Sequence, residues 1–74
     1  MKIRIYHIMN VPIHVRKLPS GDIAIWHPYH KQTRSIVETI CRNRGHWNDQ
    51  YNNWIVFSGH KQQVLNALDA AVDK

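Results

Sequence analysis

Six histidines stand in this sequence of 74 residues, and histidine is the commonest metal ligand. His27 and His30 lie three apart across Pro28, while His7, His14, His46 and His60 fall on separate segments. Zinc takes its ligands from closely spaced His or Cys pairs, and no HExxH, cysteine pair or carboxylate cluster accompanies these residues. They read as solvated surface groups, and no metal or other cofactor is expected. The single cysteine, Cys41, excludes an intrachain disulfide and suits a reduced compartment. It follows Ile40 on an apolar stripe and reads as a small core residue. Five acidic residues spread over four segments offer no carboxylate pair, and there is no glycine-rich phosphate loop or Ser/His/Asp context. The chain is therefore not expected to be an enzyme.

Basic residues interleaved with aromatics suggest another chemistry. Ile3, Ile5, Ile13, Val15, Ile23 and Ile25 alternate with polar neighbours. If they face a core, the opposite face shows Lys2, Arg4, Tyr6, His14, Arg16, Ala24 and Trp26. Cations that hold phosphates and flat rings that stack on bases are what single-stranded nucleic acid needs. On the competing reading, Tyr6 and Trp26 cover each other or meet a second subunit. A second basic set is Arg42, Arg44, His46, Trp47 and Tyr51, with His60 and Lys61 near the start of the last helix. Its competing reading has Trp47 covering Trp54 or Phe57 and the arginines serving as helix-dipole partners.

Composition bounds these readings. Net charge is +5, from ten Lys/Arg against five Asp/Glu, and the first twenty residues hold Lys2, Arg4, Arg16 and Lys17 without an acid. An anionic partner is implied, nucleic acid first. Lys2 and Arg4 imitate the basic start of a signal peptide, but Arg4, His7 and Asn10 interrupt any apolar stretch. No run approaches membrane-spanning length, so no membrane partner and a cytoplasmic location are expected. A chain this short makes one domain and needs nearly every large apolar residue inside.

The elements that must position these residues follow from periodicity. Alternation of period two marks strands around Ile3–Ile5, Ile13–Val15 and Ile23–Ile25, with a break at Asn10-Val11-Pro12 and a turn at "LPSGD" (18–22). The 13–26 pair is expected to be a hairpin. "HPYH" (27–30) stops the third strand, and the period becomes helical from Lys31 to Arg44. Ile36, Val37, Ile40 and Cys41 form its stripe, extended backwards by Thr33 and Tyr29; Gly45 is the expected left-handed residue past its end. On the far side Glu38 can pair with both Arg34 and Arg42. His46–Asn48 and Trp54–Phe57 are strands around a polar turn, and apolar residues on both faces make the latter an interior strand. Trp54, Val56 and Phe57 are expected in the core. Ser58 is expected to cap a last helix whose stripe is Val64, Leu65, Leu68, Ala71 and Val72. The predicted order is βββαββα, an α+β single domain spanning 1–74, with about five mainly antiparallel strands and two helices on one face. A hairpin followed by a helix occurs twice, as topology rather than as a residue repeat.

Over residues 29–68 the chain resembles the HARP domain of annealing helicases. The resemblance rests on Tyr29, Ile36-Val37, Ile40, "RGHWN" (44–48), "NWIVF" (53–57), Val64-Leu65 and Leu68. It implies binding of branched DNA, with Arg44, Trp47 and Lys61 near the DNA-facing side. The ATPase that accompanies such domains has no counterpart in these residues, so only DNA binding carries over. The sequence thus points to a small non-catalytic nucleic-acid-binding protein. Its alternative is a protein-interaction module, homodimeric through the Trp26 face or an edge strand.

Overall fold

The computed structural model describes the backbone of residues 3–72 and the side chains of residues 4–72. Strands β1 (Ile3–Ile8), β2 (Val11–Lys17) and β3 (Ile23–Trp26) come first, then helix α1 (Lys31–Cys41). Strands β4 (Gly45–Asn48) and β5 (Asn53–Val56), a short 3-10 turn (Ser58–His60) and helix α2 (Lys61–Ala71) complete the chain. The order is the expected βββαββα. All five strands form one antiparallel-paired sheet in the order β1-β2-β3-β5-β4. β5 lies between β3 and β4, as its two apolar faces require.

Both helices cover one face. Val37, Ile40 and Cys41 of α1 and Val64 and Leu68 of α2 pack on Ile8, Ile13, Val15, Ile23, Ile25 and Val56 of the sheet. Burying such side chains is worth about 1.5–3 kcal/mol each, the main driving force for a domain of this size. The pairing pattern has the form of a dyad centred on Ala24↔Ile55, where β3 meets β5, so the two hairpin-helix units sit back to back.

Several sequence expectations are corrected. β1 turns its other face inward: Tyr6 is 7% exposed in the core and Ile5 is 49% exposed. The reason is the β1–β2 connection, a two-residue turn at Met9 (φ 54) and Asn10 (φ 64), the positive-φ pair of a tight hairpin. It pairs Ile8 with Val11 and therefore Tyr6 with Ile13 and Arg4 with Val15, and directly opposed residues share a face. Pro12 opposes His7, where alternation turns its missing donor away from β1 and beyond the end of β3.

Helix α1 ends three residues before Arg44. Asn43, not Gly45, takes the left-handed conformation (φ 66). Gly45 serves close approach instead: a Cβ there would overlap the Ile55 carbonyl oxygen and lie 2.8 Å from Val56 Cα. His30 caps the start of α1, its Nδ1 accepting from the Thr33 N–H at 3.2 Å, and Tyr29 is 78% exposed before the helix. The hydroxyl of Ser58 caps nothing; its N–H donates to Asp22 Oδ1 at 2.9 Å and ties the β2–β3 loop to the turn before α2. Phe57 is exposed rather than core, since it follows the buried Val56 and so points to the uncovered face.

Candidate nucleic-acid interface

The face of the sheet away from the helices is uncovered, and its composition follows from the register. Arg16 pairs with Ala24 and His14 with Trp26 on β2 and β3; Ala24 pairs with Ile55, and Ile55 with His46, across β5 and β4. Ile5 opposes His14 from β1. This face is aromatic and imidazole-rich, with Arg16 as the cation of its groove.

Its centre is a groove of about 490 Å³. Ala24 forms part of the floor, where a small side chain between larger neighbours leaves the hollow. Trp26 and Tyr51 stand on it as exposed rings, with His14, Arg16, Asn48 and Asn53 as polar groups. The His14 ring meets Trp26 edge-on, with centroids 5.2 Å apart and planes at 67°, which holds the indole in place. The β4–β5 turn carries Tyr51 to the groove: Asn48 Oδ1 accepts from the Gln50 N–H at 2.9 Å, and Asn52 takes φ 51. Asn53 Oδ1 is buried and has no hydrogen-bond partner among the described residues. Among the described residues no carboxylate lines the groove. One cation, Arg16, with no acid beside it among the described residues of the lining, and rings with exposed faces can hold phosphate and stack bases.

The nine residues expected to bind nucleic acid divide. Arg16 and Trp26 are brought together in the groove. Arg4 and Tyr6 are not: they lie on the helix-covered side, with the exposed Arg4 guanidinium 5.6 Å from the centroid of the buried Tyr6 ring. Lys2 lies outside the described residues. Arg42 is ion-paired to Glu38 at 2.7 Å, whereas Arg34 makes no such pair among the described residues. Arg44 donates to the Ile40 carbonyl at 2.7 Å, satisfying an orphan acceptor at the end of α1. Trp47 packs edge-on against Trp54, centroids 5.7 Å apart, on the helix side of the sheet. Lys61 opens α2, half-buried and away from the groove lining.

Asn48 and Asn53 of the groove had no signal in the sequence, because their convergence with β2 and β3 depends on β5 inserting beside β3. Elsewhere, burial pushes the Cys41 thiol up to about 12, and nearby Arg44 only partly offsets this. That protonated thiol is a core residue and a poor nucleophile. Among the described residues no three His, Cys, Asp or Glu side chains converge as a metal site, and no helix is long and apolar enough to cross a membrane. Comparisons of the chain with protein-family models, with curated proteins and with solved structures find no match.

Proposed function

We propose that this chain binds single-stranded nucleic acid, without catalysis and with little sequence specificity, in the groove of the uncovered sheet face. The observation that carries the reading is the juxtaposition of Trp26, Tyr51, His14 and Arg16 in one hollow that no carboxylate of the described residues lines. The rings would stack on bases and Arg16 would neutralise phosphate. The HARP resemblance adds a preference for forked DNA, whose junction exposes single strands.

One observation favours a protein partner: Ile5 and Phe57 leave apolar surface exposed on the same face. A second copy of this chain is disfavoured by charge. It would bring a second Arg16 and no carboxylate from the groove lining among the described residues, while a polyanion matches it.

The test is an anisotropy titration of labelled single-stranded, duplex and forked DNA at low and physiological salt. Binding should weaken steeply with salt, and Arg16→Ala should reduce the log–log slope by about 0.7, one phosphate contact on a single strand. Absence of binding at low salt overturns the reading and turns attention to an apolar partner.

A further inference from the structure

The groove does not end at Trp26. A second recess, of about 460 Å³, begins on the other side of the same indole, at the end of the sheet. Tyr29, Arg34, Trp47 and Asn52 line it, and Asn52 adjoins Asn53 of the first groove. Among the described residues it too lacks a carboxylate. Glu38 lies beyond it, in a third and smaller recess with Arg34, Trp47 and Trp54.

We propose that a bound single strand passes over Trp26 from the open face into this second recess, with Tyr29 and Arg34 holding its far end. The proposal rests on the nucleic-acid reading and deepens it. Four rings mark the route, Tyr51, Trp26, Tyr29 and Trp47, and a cation stands at either end, Arg16 and Arg34. The spacing of ring and charge along one continuous surface is the pattern that tracks a flexible backbone. The route ends at Arg34, beyond which the Arg42 guanidinium is already occupied by Glu38 at 2.7 Å. It also selects for single strands. Duplex DNA stays straight over roughly 150 base pairs and cannot turn around the end of a domain 31 × 24 × 24 Å in extent. A single strand can.

The experiment compares a labelled tetrathymidylate with a decathymidylate on the wild-type chain and on the Tyr29→Ala/Arg34→Ala double variant. Both residues are exposed, so the variant should keep the wild-type unfolding midpoint. The comparison is between variants at fixed length, because a longer strand also has more registers. The double variant should bind the decamer about tenfold more weakly, within the range for one stacked base and one phosphate, and the tetramer unchanged. If it binds the decamer as wild type does, while Arg16→Ala weakens both oligonucleotides, the route is wrong and the open-face site stands. If wild type binds neither oligonucleotide at low salt, the route falls together with the nucleic-acid reading.

Discussion

Gly45→Ala should disrupt this domain out of proportion to the one methyl it adds. Gly45 opens β4 directly opposite Val56 of β5. The new Cβ would overlap the Ile55 carbonyl oxygen and lie 2.8 Å from Val56 Cα and 2.9 Å from the Ile55 carbonyl carbon. All three are backbone atoms of a strand paired on both sides, so β5 has nowhere to go and β4 must move outward. Overpacking of this kind costs about 1–3 kcal/mol. The move also stretches the adjacent bond from the Phe57 N–H to the Arg44 carbonyl, 3.0 Å long, for about 1 kcal/mol more. The total, about 2–4 kcal/mol, is a large share of the stability of a small domain. At roughly 4–8 °C per kcal/mol it corresponds to a fall in Tm of about 10–30 °C. The matched control is Gly59→Ala, where the added methyl meets nothing within 4 Å. Thermal and urea unfolding followed by tryptophan fluorescence would compare the two. If Gly45→Ala unfolds within about 0.5 kcal/mol of Gly59→Ala, the size of a neutral surface change, the close-approach argument is refuted.

The inverted face of β1 gives a second expectation: Tyr6→Ala should destabilise by about 3 kcal/mol or more, as for a buried aromatic, and Ile5→Ser by less than about 1; equal urea midpoints would contradict the register. Arg4→Ala should leave DNA affinity within twofold of wild type while Arg16→Ala lowers it, because only Arg16 lies in the groove; the anisotropy titration reads both. The Cys41 thiol should make stability fall at high pH. The unfolded chain loses this proton near 9.0 and the folded chain keeps it to about 12, so above 9 the folded state binds more protons and each further pH unit costs up to ~1.4 kcal/mol. Cys41→Ala should flatten that part of the stability–pH curve, and an unchanged slope would show that the loss comes from other groups. His30→Ala should cost about 0.5–2 kcal/mol through loss of the bond that caps α1, read from the urea midpoint.

Much of the architecture was legible because periodicity and turn chemistry are local. Alternation marked the strands, and the "LPSGD" turn closes as expected, with Gly21 at φ 93 and its N–H donating to the Leu18 carbonyl. The apolar pair of faces on 54–57 placed β5 inside the sheet. The face of β1 is ambiguous in the alternation alone. Apolar residues occupy both parities, Ile3 and Ile5 on one and Tyr6 and Ile8 on the other, so alternation by itself allows either face. Reading Met9-Asn10 as a two-residue turn, rather than Asn10-Val11-Pro12 as a break, would have tied Tyr6 to Ile13. The end of α1 is ambiguous for a similar reason: Asn as well as Gly accepts positive φ, and Gly45 is needed elsewhere for its missing side chain.

By itself the sequence determined the order of elements, the basic charge and the apolar stripes that bring both helices to one face. These depend on neighbours within a few residues along the chain. Only the tertiary structure decided which face each aromatic takes. Trp26, Trp47 and Trp54 look alike in the sequence. Trp54 is half-buried on the helix side with Trp47 edge-on against it, while Trp26 stands on the open face, because β5 enters between β3 and β4. That insertion joins segments thirty residues apart, and only a register between distant strands can place Arg16, Trp26 and Tyr51 in one groove.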